Sequence, residues 1–391
     1  MSEIRISPCG EKSSGALRDD LVLISGSDIR THRGGETFLI QLSRDLTTQG
    51  LRHTILTKYI PRAMVNRSPS EVKAELGDIV RPYRVFEFFR DDSIPLDVSF
   101  LRVLTSNRSS TVYTLDTQPI FLLFTLVLTR LLGIRLTAAI HHPTQLNDLV
   151  SKKVPLPLRR ILMFALNRVD QIHVLTRQSR DKLINLRIKS EVTVVPYYMH
   201  PRPFASRDAL QGKFLVTFVG AFVEFDKGID LLRDVMAVAL GSCPNLTFIA
   251  VGTGPARDIF RSLEAKFPAR VNIIGFLAGN DLVQIYERSH LVVVTSRVES
   301  FCRVALEATT YGNPIVYFSI DGISEAGSVY PEGSVPSFDT QQMAKRIVEH
   351  YENFERNRIS YDALQRSCRT RAISKFGKEV IFPKLIKMLT S

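Results

Sequence analysis

Residues 291–316 constrain this chain more than any other stretch. A β-branched run over 291–295 passes into a polar loop ending Glu299-Ser300, and 301–311 then reads as a helix stopped by Gly312 and Pro314. That order of strand, loop and helix leaves a helix N-terminus beyond the strand end. Its first N–H groups have no partner within the helix and its dipole is positive there, so the position suits a phosphate. With Ser300 as the N-cap, Glu307 lies seven residues on, about 10 Å down the axis at about 1.5 Å per residue. One acid then stands beside the phosphate end of a ligand and the other a nucleoside's reach away.

The same grammar runs through two halves. In the first, 21–25, 53–57, 79–82, 111–115, Arg135–Ile140, 171–175 and 191–195 read as strands. In the second, Phe214–Val219, Leu246–Val251, Val271–Ile274, 291–295 and 314–317 do. Amphipathic stretches separate them, the pattern of parallel sheets covered by helices. A chain of 391 residues also exceeds the size at which a single core keeps growing. Residues 196–212, with three prolines and no periodicity, read as a linker. They divide the chain into domains 1–200 and 201–391, the last helix either closing the second domain or returning to the first. Ligands of doubly wound sheets bind beyond the carboxyl ends of the strands. Two such domains face to face share one cleft, so functional residues are expected just after strands in both halves.

Cys9, Cys243, Cys302 and Cys368 are scattered without paired spacing, which argues against a structural metal site or a disulfide framework and for a reducing compartment. The first residues lack a basic segment followed by a long apolar one, so no secretory signal is expected. Pro119–Leu132, the most apolar stretch, is interrupted by Thr125, Thr129 and Arg130 and falls short of the roughly 20 residues of a spanning helix; a buried helix is expected. The net charge of +12 is uneven, with 28 Lys/Arg against 19 Asp/Glu over 1–200 and 23 against 20 over 201–391. A basic first half implies either an anionic partner or plain solubility. Residues 151–168 set Lys152, Lys153, Arg159, Arg160 and Arg168 beside Leu158, Ile161, Leu162 and Phe164. Such a segment either lies on an anionic membrane or is an ordinary surface helix. Nucleic-acid binding would rest on charge alone and is not expected.

Several turns after strands carry chemistry. Residues 220–228 end in Lys227-Gly228, a cation placed to neutralise a diphosphate and a glycine that permits close backbone approach. Val251-Gly252-Thr253-Gly254-Pro255 is a second turn of this kind, and Gly275, Asp281 and Tyr286 follow the next strand. In the first half, Arg33-Gly34-Gly35-Glu36 precedes a helix over 37–48 with Phe38, Leu39, Leu42 and Leu46 on one stripe. Paired glycines before a helix admit a phosphate or sugar near the amides. His141-His142-Pro143 ends the strand Arg135–Ile140 at the expected cleft. Each turn also has a plain packing reading.

The Glu299-x7-Glu307 spacing, with a strand before it and Gly-x-Pro after it, resembles the donor-site signature of retaining glycosyltransferases of family 4, which have the GT-B fold. Residues 220–228 look like the family's Gly-Arg-x-x-x-x-Lys-Gly element, 252–255 like its Gly-x-Gly-Pro turn and Gly34-Gly35 like its Gly-Gly loop. His141 matches its strand-end histidine, with His142 in reserve. The resemblance implies an α/β protein of two Rossmann-like doubly wound domains facing across a cleft, the first taking the acceptor and the second a UDP- or GDP-linked sugar. It implies donor contacts from Gly34, Gly35, Lys227, Gly254, Phe301, Cys302, Arg303 and Glu307, with His141 and Glu299 at the reacting sugar and Glu307 on the ribose hydroxyls. Tyr286 and its neighbours would line the base pocket through backbone contacts. It further implies retention at the anomeric carbon, no metal and no other cofactor; no Asp-x-Asp occurs in the sequence. A lipid-linked sugar, a glycan or a small molecule all fit as acceptor, and the protein is expected in the cytoplasm, free or at the inner face of the membrane.

Two positions depart from the family pattern. Ala221 stands where the family has arginine, and Cys302 where most relatives have glycine. The first leaves half of a cationic clamp, met by altered donor affinity, by a substitute such as Arg303, or by an inactive member. At the second, a positive φ would strain a cysteine, whereas ordinary right-handed geometry at a helix start would suit it. These departures motivate the alternative of a non-catalytic GT-B protein that binds sugar nucleotides.

Overall fold

The computed structural model describes residues 20–31, 34–59, 68–89, 92–95, 97–106, 109–201 and 212–390. Cys9, Arg33 and the linker residues 202–211 lie outside the described residues. The first half forms a seven-stranded parallel sheet in the order Val80–Tyr83, His53–Lys58, Asp20–Ile24, Ser109–Thr114, Arg135–Ile140, Gln171–Val174, Glu191–Val194. The second forms a six-stranded parallel sheet in the order Val271–Ile274, Leu246–Val251, Phe214–Val219, Leu291–Val294, Ile315–Phe318, Ser334–Val335. Leu291–Val294 and Ile315–Phe318 are buried at every position, which is why they read as unbroken apolar runs rather than as alternating strands.

In each sheet the strand order reverses once, beside Asp20–Ile24 in the first and beside Phe214–Val219 in the second. A ligand crevice opens at such a switch point. The loop to Gly34 leaves one, and the turns carrying Lys227 and Glu299 leave the other.

Alternate residues of Asp20–Ile24 enter two cores. Leu21 and Leu23 join a cluster that also holds Phe38 and Leu39, Val292 and Phe301 of the second half, and Phe382 and Leu385 of the terminal helix Lys378–Thr390. Val22 and Ile24 join a second cluster with Phe100, Phe121 and Leu162. The chain end is tied to the segment after the first sheet: Met199 N–H donates to Phe376 O (3.0 Å), Lys378 N–H to Met199 O (2.9 Å) and Lys378 Nζ pairs with Asp45 (2.7 Å). Asp45 also accepts from Tyr198 Oη (2.6 Å). Burial works to raise the Asp45 pKa, but bonds from His200, Lys378 and Tyr198 outweigh it and hold the carboxyl below its usual range.

Two features differ from the sequence expectation. An antiparallel pair, Phe86–Phe89 with Asp92–Ile94, joins neither parallel sheet; its strands are short and rich in charge, so they carry little periodic signal. Pro119–Leu132 is a helix closed by left-handed Gly133, but it is not buried all round. It packs on the sheet through Phe121, Leu122, Thr125, Leu126 and Thr129, while Leu131 is 79% exposed. One helix resting on one sheet face buries only a stripe, whatever its composition. No helix of the described residues is long and apolar enough to cross a membrane.

Candidate active site

Lys227 and Glu299 leave neighbouring strands of the second sheet and meet. Lys227 Nζ donates to Glu299 Oε1 at 2.6 Å, and Ser296 Oγ donates to the same oxygen at 2.8 Å. Burial tends to lower the Lys227 pKa, but the Glu299 carboxylate beside it prevails and raises it, so the ammonium stays charged. The two turns interlock through backbone. Thr295 Oγ1 donates to Lys227 O (2.9 Å), and a Cβ on Gly228, whose φ is +62°, would stand 2.2 Å from Thr295 O. Gly228 is therefore needed for this turn-to-turn approach. Gly254, with φ +155°, lies under the same constraint: a Cβ there would stand 2.4 Å from Phe222 O.

The helix after Glu299 is Arg303–Thr310, not 301–311, and its N-cap is Cys302 rather than Ser300. Phe301 is fully buried, its ring 5.6 Å from both Tyr197 and Phe376. That anchoring holds the chain out of the helix for two further residues. Cys302 makes the turn at φ 64°, ψ 75°, in the left-handed region instead of ordinary helical geometry. A side chain there costs about 1–2 kcal/mol, offset by burial of the thiol within the core. Burial, followed by the nearby Glu299 charge, pushes the Cys302 pKa up, so it stays a neutral thiol. The helix shift also shortens the spacing argument. Glu307 lies five residues beyond the N-cap, about 7.5 Å along the axis rather than 10 Å.

Glu307 is fixed at both oxygens: Arg303 Nε donates to Oε1 and Tyr286 Oη to Oε2, each at 3.0 Å. Burial, then the Glu307 charge, drives the Tyr286 pKa well above its ordinary value, so the phenol remains the donor. Tyr286 thus orients the acid through its side chain, a role the sequence reading did not assign it. Arg303 reaches the first half, where its Nη2 donates to Gln41 Oε1 (3.3 Å), while Nη1 is buried without a hydrogen-bond partner among the described residues. Ala221 is exposed.

Gly34 and Gly35 are the first two residues of the helix Gly34–Thr48. A Cβ on Gly34 would meet nothing within 4 Å, and one on Gly35 only Leu115 Cδ1 at 3.4 Å. His142 lines the opening between the halves together with Lys182, Glu299, Ser300 and Gly322. His141 lies beneath, half-buried, in a network of rings. Its Nδ1 is 3.3 Å from Tyr197 Oη, and its Nε2 is 3.2 Å from His173 Nδ1 and 3.4 Å from Tyr113 Oη. His173 Nε2 donates to Val195 O (2.7 Å), leaving Nδ1 to accept from Tyr113 Oη (2.7 Å). Burial, and then the neighbouring His173, lowers the His141 pKa well below its ordinary value, so the ring is neutral. Burial likewise lowers His173 to about 4.

Tyr197, in the segment read as linker, links these parts. Its ring lies 5.1 Å from Phe38, 5.4 Å from His141 and 5.6 Å from Phe301, with the Arg303 guanidinium 5.9 Å from its centroid. Sequence reasoning missed Tyr197 and Gln41, because neither lies in a motif and both matter only through long-range contacts. It also missed Gly322, where a Cβ would stand 1.9 Å from Glu299 O. The described residues hold no group of three or more His, Cys, Asp or Glu arranged to bind a metal ion.

Residues 32–197 match the family described as Glycosyltransferase Family 4, and residues 213–353 match Glycosyl transferases group 1. The gpi3 component of the Schizosaccharomyces pombe phosphatidylinositol N-acetylglucosaminyltransferase is 23% identical over 171 residues, covering 42% of this chain and 38% of that protein's length. Its human counterpart is 29% identical over 146 residues, covering 37% of this chain and 30% of that protein. Alpha-D-kanosaminyltransferase of Streptomyces kanamyceticus is 24% identical over 278 residues, covering 65% of this chain and 71% of the relative. Among solved structures, Anabaena HepE in complex with UDP and glucose superposes with a TM-score of 0.72 at 18% identity, over 95% of this chain and 99% of that one. The two facing sheets form a GT-B fold.

Proposed function

Because the chain belongs to the group 1 glycosyltransferases of family 4, we propose that it moves a sugar from a UDP- or GDP-linked donor to a hydroxyl of a lipid-linked, glycan or small-molecule acceptor, with retention and without a metal. The observation that carries this reading is the Lys227–Glu299 pair beside the N-terminus of Arg303–Thr310, with Glu307 held farther along the same helix. The donor diphosphate takes its place at Lys227 and the amides of Arg303 and Val304, and the buried Nη1 of Arg303 supplies the second cation that Ala221 does not. Fixed donors aimed at a leaving group act most strongly in a dry cleft. Glu299 and Glu307, already oriented by the protein, read sugar and ribose hydroxyls.

In the transfer step the bond from the anomeric carbon to the phosphate oxygen breaks. The bond from the acceptor oxygen forms on the same face, and the acceptor proton passes to the departing phosphate oxygen. His141 is neutral and engaged on both ring nitrogens, which suits it to hold the sugar's surroundings in place rather than to take that proton.

Proton NMR of the protein incubated with UDP- and GDP-sugars tests the reading. Release of nucleotide diphosphate with a retained anomeric centre is expected; an inverted product would refute retention. Nucleotide binding with no turnover at all would favour the non-catalytic sugar-nucleotide-binding protein that Ala221 motivates.

A further inference from the structure

Three helices cover the face of the first sheet reached by Val22 and Ile24: Val98–Ser106, Pro119–Leu132 and Leu156–Leu166. Their inner sides interlock, with the Phe100 and Phe121 rings 6.2 Å apart and Pro119–Leu132 packed along Leu156–Leu166. Their outer sides are apolar. Of the sixteen large apolar side chains exposed among the described residues, these helices of 9, 14 and 11 residues carry seven, including Val98, Val127, Leu131, Leu156 and Phe164. A concentration of this kind on so small a part of the chain marks an interaction surface.

Charge says what covers it. Every charged residue on the three helices is an arginine: Arg102, Arg130, Arg159 and Arg160. Over residues 98–168 there are nine Lys or Arg and two Asp or Glu, and one of those acids, Asp116, is buried against Lys58. The cations are interleaved with the apolar groups. The Arg168 guanidinium lies 3.7 Å from the Phe164 ring centroid, and Arg130, which pairs with Asp170 at 2.9 Å, donates to Arg168 O at 2.6 Å. Arginine stems that cross apolar surface and end in charge suit a boundary between hydrocarbon and anionic headgroups. A protein partner would have to present acids and apolar groups in matching register; an anionic phospholipid layer presents both everywhere.

We propose that this face docks on an anionic phospholipid bilayer, with Val127, Leu131 and Phe164 entering the headgroup boundary and Arg102, Arg160 and Arg168 meeting lipid phosphates. This docking does not depend on the transfer chemistry of the cleft.

Sedimentation of the full chain with phosphatidylcholine vesicles, with and without phosphatidylglycerol, tests it. Binding is expected only with the anionic lipid and should weaken with added salt. The L131E/F164E double variant should lose about tenfold in binding, and R160E/R168E should lose several-fold. V238E, which alters an exposed apolar residue of the second half, should bind like the parent. Equal thermal unfolding of parent and variants guards against misfolding; should L131E/F164E unfold early, L131S/F164S is expected to show the same direction of change. Absence of binding to anionic vesicles, equal binding to both lipids, or equal loss in V238E would overturn the proposal. So would a dimer, seen by analytical ultracentrifugation, that L131E dissociates, since a second copy would then be the occupant. UDP affinity, measured by calorimetry in the same variants, should not change, so a failure of the donor-site reading would be seen separately.

Discussion

The glycines of the two halves serve different ends. In the second domain Gly228, Gly254 and Gly322 stand where backbone passes against backbone, and any side chain would collide with a carbonyl 1.9–2.4 Å from its Cβ. In the first domain Gly34 opens a helix with nothing within 4 Å of its missing Cβ, and Gly35 faces only the end of Leu115. Packing among the described residues explains the first group completely and the second not at all. The same sequence sign, a glycine in a strand-to-helix turn, therefore reports a tightly built donor lobe in one half and an open surface in the other. A ligand coming close to the Gly34–Thr48 amides would account for that open surface.

This contrast can be broken. Gly228→Ala should cost about 3 kcal/mol or more of stability, read as a large drop in thermal unfolding temperature; a near-normal transition would show that the turns of the second domain are less interlocked than described. Next comes pH. His173 in the first half and His350 in the second are both lowered to about 4, each chiefly by burial. Unfolding lets each rise toward its ordinary value near 6.5, so the unfolded chain binds more protons between the two values. The stability each neutral ring contributes is present above about pH 6.5 and is lost as pH falls toward 4, by at most about 1.4 kcal/mol per pH unit per histidine. His173→Gln and His350→Gln should each flatten the decline of unfolding temperature below pH 6.5. If only one did, the two halves would differ in how tightly they exclude charge.

Gly34→Ala should behave opposite to Gly228→Ala. Its stability should stay within about 0.5 kcal/mol of the parent, while affinity for the nucleotide-sugar, measured by calorimetry, falls about tenfold, or about 1.4 kcal/mol. Unchanged affinity would show that the open space at this helix start is not occupied by donor. The smallest effect is expected from Tyr197→Phe, which removes one hydroxyl from His141 and leaves the ring stack in place. Its net hydrogen bond is worth about 0.5–1.5 kcal/mol, so steady-state kinetics should show kcat falling about threefold to tenfold with little change in KM.

Much of the fold was legible because parallel strands buried on both faces leave dense β-branched runs. Arg135–Ile140, Phe214–Val219, Leu246–Val251 and Val271–Ile274 have the same ends in the sequence reading and in the structure. Ser334–Val335 has only two residues to signal with and was missed. At the candidate site, residue types and their order along the chain were readable, but partners were not. Lys227 and Glu299 are 72 residues apart, and nothing local foretells their ion pair. The late helix start at Arg303 follows from Phe301 docking on Tyr197 and Phe376, contacts made across both domains and the chain end. Likewise, the exposed face of Pro119–Leu132 was hidden in the sequence because apolar composition does not say how many neighbours a helix has.

The central claim is that a nucleotide diphosphate is held by the Lys227 ammonium and the start of the Arg303–Thr310 helix, with Glu307 on the ribose. Calorimetric titration of UDP and GDP into the parent protein, Lys227→Ala and Glu307→Ala, in the presence of a chelator, tests it most directly. The parent should bind at least one of the two nucleotides, Lys227→Ala about a hundredfold more weakly and Glu307→Ala about tenfold more weakly, equivalent to about 2.7 and 1.4 kcal/mol. Unchanged affinity in both variants, or binding by the parent only when a divalent cation is supplied, would contradict the account.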